Sequence, residues 1–256
     1  MGAGARALDS PSRMAAWPHG RMVTAPGARW NAEDRMSRLF EPRLNELRET
    51  ILRMGSRAEA ILAKSLRCLW VGDAALADEV IRDDLEIDRL DVAVDDAVLK
   101  ALALGAPLAE DLRKVVAIKM IATDLERVGD LARNMAASAK RLSTVAGLEL
   151  PEKMRALADL TQSMLRDSLD TLSDLDAVRA RRVIERDDEI DALQDELVRE
   201  EIGRMHGEPE RAAWAVDVIL VAESLERVGD HATNVAEEVV LMAEARNLKH
   251  AAKLGR

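Results

Sequence analysis

With 256 residues the chain is long enough for one large domain or two small ones around a substantial core. Its net charge of −10 excludes sequence-independent nucleic-acid binding, which needs clustered Lys and Arg, and favours cations or basic proteins as partners. A chain with one Phe and no Tyr, dominated by Ala, Leu, Val, Asp, Glu and Arg, has the composition of a helix bundle rather than a β-sandwich, and its single cysteine, Cys68, excludes a disulfide framework.

Residues 1–36 are rich in Gly, Ala, Arg and Pro without periodicity and read as a disordered leader. From Phe40 apolar residues recur at three and four positions (Leu44, Leu47, Ile51, Met54, Ala58, Ile61, Leu62, Leu66, Leu69), which predicts a first helix that stops at Gly72-Asp73. Cys68 falls on this pattern as a small core residue. A second helix is predicted over about 74–104, ending at Gly105-Ala106-Pro107, and a third over about 109–145. The segment from Gly147 to Pro151 then breaks the chain. The plan repeats with helices at about 151–172, 176–205 and 210–247. The expected fold is all-α: two tandem, sequence-related three-helix bundles, six long antiparallel helices in all, at 37–147 and 148–250. No uncharged run approaches the roughly 18 residues of a membrane span, and the N-terminus lacks the apolar stretch of a secretory signal. A soluble cytoplasmic protein, without membrane insertion, is expected.

The halves are related by sequence. Leu125-Glu126-Arg127-Val128-Gly129-Asp130 recurs as Leu225-Glu226-Arg227-Val228-Gly229-Asp230, and Ala122, Ala132, Asn134 and Ala136 recur as Ala222, Ala232, Asn234 and Ala236. Asp84-Leu85-Glu86-Ile87-Asp88 likewise matches Asp187-Asp188-Glu189-Ile190-Asp191. Each half thus carries two acidic i,i+4 pairs, and residues four apart share one helix face. Paired carboxylates repel, so something must offset them if these faces pack together. Oxygen donors from Asp, Glu and Asn suit hard or borderline cations, and the neighbouring Arg127, Arg133 and Arg227 offer the competing compensation. A glycine inside a helix costs about 1 kcal/mol relative to alanine. Its presence at both 129 and 229 therefore predicts close approach by a neighbour.

The doubled D/S-L-E-R-V-G-D-x-A-x-N stretch at 124–134 and 224–234 resembles the repeated motif of the PhoU family of phosphate-uptake regulators. Met54-Gly55 with Ala58-Glu59, and Pro107 followed by Asp111-Leu112-Arg113, agree with it, and the resemblance covers about 37–250. It implies two similar three-helix bundles in a cytoplasmic, often dimeric protein. It also implies a negative regulator that links the ATPase of a phosphate ABC transporter to the membrane histidine kinase of a two-component system. Iron, zinc or another divalent metal, mono- or multinuclear, is implied on Glu126, Asp130, Asp84 and Asp88 in the first half and on Glu226, Asp230, Asp187 and Asp191 in the second, with Asn134 and Asn234 assisting. His231, in place of Leu131, would give the second site tighter or different metal binding. No organic cofactor is implied.

An enzyme is the competing class. A di-iron carboxylate oxidase needs Glu-x-x-His pairs, and none of His19, His206, His231 and His250 stands three residues after a Glu. No catalytic triad or phosphate-binding glycine loop is present either, so no catalysis is expected. A metal-binding helical protein or dimerisation module with no direct phosphate role remains the alternative.

Overall fold

The structure, a computed structural model, describes residues 32–103, 109–208, 210 and 212–249. Its helices are α1 (Ala32–Val71), α2 (Ala74–Ala103), α3 (Ala109–Leu142), α4 (Glu152–Asp174), α5 (Ala177–Ile184), α6 (Asp187–Gly207) and α7 (Ala212–Glu244). There is no strand among the described residues. The leader expected over 1–36 lies outside them up to residue 31, and 32–36 belong to α1. The stop expected at Gly105 and Pro107 also lies outside the described residues.

Local chemistry sets the described breaks. Gly72, with φ +69°, turns the chain out of α1. Asp73 then caps α2, its Oδ1 accepting the amides of Ala75 at 2.9 Å and Leu76 at 3.2 Å. Asp176 caps α5 in the same way through Val178 and Arg179, both at 3.0 Å.

The helix expected over 176–205 is instead two, α5 and α6, broken at Glu185-Arg186. Arg186 sits at the break and turns to α4, bonding Asp167 at 2.9 Å and Ser163 at 3.2 Å. Asp187, Asp188 and Glu189 fill the first turn of α6, where the helix dipole favours negative charge. Asp187 therefore begins a helix, whereas its counterpart Asp84 lies in the interior of unbroken α2.

α1, α2 and α3 form one bundle; α4, the α5–α6 pair and α7 form the other. Each buries the stripe its spacing predicts: Leu47, Ile51, Met54, Ala58 and Leu62 of α1 are at most 1% exposed, and Cys68 is buried beside them. Each large side chain so buried contributes about 1.5–3 kcal/mol. The two bundles share one continuous core. They meet along α3 and α7, where Ala122, Leu125, Val128 and Ala132 and their counterparts Ala222, Leu225, Val228 and Ala232 are fully buried. A second contact joins α1 to α4. There Leu169 lies so close over Gly55 that an added Cβ would come within 2.6 Å of it, and Arg166 bonds Glu59 at 2.8 Å. The acidic motifs thus sit on the two helices that carry the junction between the halves.

Candidate metal centre

Each acidic cluster combines the central helix of its bundle with the helix packed across it. α3 supplies Glu126 and Asp130 and α2 supplies Asp84 and Asp88; α7 supplies Glu226 and Asp230 and α6 supplies Asp187 and Asp191. The repeated glycine makes the approach possible. A Cβ on Gly129 would lie 2.7 Å from Asp84 Oδ1 and 3.0 Å from Ile87 Cδ1, and one on Gly229 would lie 2.5 Å from Ile190 Cδ1. Ile87 and Ile190 are counterparts in the repeat, so the same knob enters the same gap in both halves.

The charges around that shared geometry differ. In the first half, Asp84 is buried, its side chain 2% exposed. Arg133 Nη1 bonds Asp84 Oδ2 at 2.6 Å and its Nη2 bonds Asp130 Oδ1 at 2.7 Å, so one guanidinium clamps α2 to α3. Arg127 lies over the same group, 3.4 Å from Glu126 and 3.2 Å from Asp130. Burial raises the Asp84 carboxyl above its usual value, and Arg133 opposes that rise. Burial, then repulsion from Asp130, raises Glu126. Asn134 is exposed.

In the second half the position of Arg133 is taken by Thr233. Its hydroxyl donates to Asp187 Oδ1 at 2.9 Å and brings no charge. Oxygens of Asp191, Glu226 and Asp230 converge to within 4.8 Å of one another, the one such trio of possible ligands among the described residues. Burial, then repulsion from Asp230 and Asp191, pushes Glu226 up to about 7. Burial and the neighbouring acids also raise Asp230 and Asp191.

Metal–oxygen bonds of about 2.0–2.2 Å place ligand oxygens within about 4.4 Å of each other, so a small closure of the trio would fit one cation. Three carboxylates of the second half could hold one cation, whereas in the first half a guanidinium already bonds two of the four acids.

Two expected ligands turn elsewhere. His231 Nδ1 lies 2.8 Å from Asp124 Oδ1, and Asn234 Nδ2 donates to the same oxygen at 3.0 Å. Both side chains bridge α7 to α3 across the junction and take no part in the acidic trio. The difference in charge between the two acidic clusters thus comes from the arginine at 133, not from the histidine at 231. Asp124 and Thr233 were not singled out as functional in the sequence. Their signal was there, as breaks in the repeat: Asp124 against Ser224 and Arg133 against Thr233.

The family model of the PhoU domain matches residues 51–139 and again 154–239. The chain is 38% identical over 208 residues to the phosphate-specific transport system accessory protein PhoU homolog of Rhizobium meliloti, covering 80% of this chain and 86% of that protein. It is 34% identical to the homolog of the same name from Caulobacter vibrioides, covering 76% of this chain and 85% of that one. Among solved structures it superposes on PhoU from Pseudomonas aeruginosa with a TM-score of 0.78 at 30% identity, covering 81% of this chain and all of that one. The phosphate transport system regulatory protein PhoU from Streptococcus pneumoniae gives 0.76 at 27%, covering 82% of this chain and 99% of that one. With the doubled motif, the paired bundles and these likenesses in agreement, the chain belongs to the PhoU family.

Proposed function

We propose that the chain is a cytoplasmic, non-catalytic regulator of phosphate uptake and of the phosphate-starvation response, with a divalent-cation site in its second half. Its relatives are named as accessory proteins of phosphate-specific transport, and no helix among the described residues is long and apolar enough to cross a membrane. Under this reading it is an adaptor, often dimeric, between the ATPase subunit of a phosphate ABC transporter and a membrane histidine kinase, and it represses when phosphate is plentiful.

The observation that carries the metal assignment is the convergence of Asp191, Glu226 and Asp230, where Thr233 stands in place of the arginine that clamps the first cluster. These three residues would hold the ion, with Asp187 beside them fixed by Thr233. All-oxygen donors suit manganese or iron, and zinc as a borderline case. The bound ion supplies positive charge on an otherwise acidic face, where an anionic ligand would be repelled by the carboxylates alone.

The test is complementation in a bacterium lacking its own PhoU and carrying a phosphate-starvation reporter. The chain is expected to restore repression in phosphate-rich medium, and the Glu226→Ala, Asp230→Ala pair to weaken it. A folded, expressed chain that leaves the reporter fully on would overturn the regulatory reading and leave a metal-binding or dimerisation module with no phosphate role.

A further inference from the structure

We infer that Arg133 is the resident cation of the first acidic cluster, that it excludes divalent metal from that half, and that this position sets how many metal centres the chain has. The inference rests, for its second half, on the reading of Asp191, Glu226 and Asp230 as metal ligands.

The two clusters begin from equivalent scaffolds. Four carboxylates stand at matching places, and matching glycines admit Ile87 and Ile190. The first four have two arginines within their motif, and the second four have one. The difference at 133 and 233 is one of geometry as well as charge. Arg133 reaches across from α3 with its two terminal nitrogens on separate carboxylates, Asp84 at 2.6 Å and Asp130 at 2.7 Å. A planar fork holding two carboxylates occupies the space in which those oxygens would share a metal, and its charge repels a dication. Thr233 fills the same register with a hydroxyl bonded to Asp187 alone, which leaves Asp230 free to turn to Asp191 and Glu226.

The first cluster nevertheless keeps a feature that points to a cation. Asp84 is almost wholly buried, yet its Oδ1 has no hydrogen-bond partner and lies beside Gly129, where a Cβ would reach it at 2.7 Å. A buried carboxylate satisfied on one oxygen only retains capacity for a ligand. Arg133 therefore covers a potential site incompletely, and removing it frees the second oxygen of a carboxylate whose first, against Gly129, is already without a partner.

The experiment is a manganese(II) titration of the full chain, read from the electron paramagnetic resonance signal of the free ion, on reciprocal variants. In the wild type, Glu226→Ala with Asp230→Ala is expected to abolish binding, and Glu126→Ala with Asp130→Ala to leave it unchanged. Arg133→Thr is expected to double the manganese bound per chain, the added half vanishing when Glu126 and Asp130 are also removed. Thr233→Arg is expected to lose the wild-type binding. Circular dichroism checks that each variant is helical.

The inference is overturned if the wild type loses manganese with Glu126 and Asp130, or if helical Arg133→Thr binds no more than wild type. Should Arg133→Thr fail to fold, Thr233→Arg decides: wild-type binding in that variant also overturns it. A wild type that binds none beside an Arg133→Thr that binds would sink the metal reading of the second half and leave the role of Arg133 standing.

Discussion

The two halves repeat the same acidic scaffold and reach opposite electrostatic solutions. In the first, Arg133 and Arg127 lie on the carboxylates and offset part of their charge. In the second, Thr233 brings no charge, and Glu226 is pushed up to about 7 by burial and by its acidic neighbours. A duplicated motif thus preserves geometry more readily than chemistry: the helices, the glycine gap and the four acids are kept, and a single position three residues after Asp130 and Asp230 sets whether a guanidinium or a hydroxyl meets them.

The largest expected contrast is in metal affinity. Removing Glu226 and Asp230 should weaken binding by more than about 100-fold, since even the outer partners of metal ligands cost 10- to 100-fold. Removing Glu126 and Asp130 should change it by less than a factor of two, as isothermal titration with manganese would show. Equal losses from both pairs would erase the distinction between the halves.

Stability gives the reverse contrast. Arg133→Ala strands the buried Asp84 carboxylate and should cost about 3 kcal/mol at neutral pH. Thr233→Ala removes one hydroxyl-to-carboxylate hydrogen bond at half-buried Asp187 and should cost about 1.5 kcal/mol. Urea denaturation of the metal-free proteins separates the two.

The glycines should differ next. In Gly129→Ala the new methyl meets Asp84, which Arg133 holds in place, so overpacking of about 1–2 kcal/mol is expected. In Gly229→Ala the nearest atom is the far end of Ile190, which can shift, and the helix-propensity gain of about 1 kcal/mol offsets much of the clash. Thermal melts of the two variants should order accordingly.

The smallest effect is in pH. Because the folded pKa of Glu226 is raised to about 7 from 4.5, the folded chain binds this proton more tightly than the unfolded chain does. Metal-free protein should therefore gain stability as pH falls from above 7 towards 4.5, through this group, and lose it as pH rises through about 7. Glu226→Gln should flatten that slope, whereas Glu126→Gln should alter it less. The same proton competes with metal, so manganese affinity should rise across pH 6–8 in the wild type.

Much of the fold was legible because its signals are local. Gly72-Asp73 marks the α1–α2 turn through a left-handed glycine and a capping carboxylate, and the stripe from Leu47 to Leu69 marks the buried face of α1. The break between α5 and α6 was not, since neither Glu185 nor Arg186 is a helix breaker. It depends on Arg186 reaching α4 and on the acids that open α6, a tertiary contact and a weak dipole preference. That the acids of each half come together was legible; the groups they meet were not. Spacing identified the acids, the glycines and Arg133 as a competitor, but which cation wins depends on where a side chain three residues along α3 meets α2. His231 shows the same limit. Its identity suits a metal, and only the crossing of α7 over α3 places it on Asp124 instead.

The most direct test is a crystal grown or soaked with manganese and measured for anomalous scattering near the manganese edge. The account predicts a peak between Asp191, Glu226 and Asp230, and none between Asp84 and Asp130, where Arg133 should be seen clamping both carboxylates. A peak in the first cluster with Arg133 displaced, or an empty second cluster at saturating manganese, would contradict it.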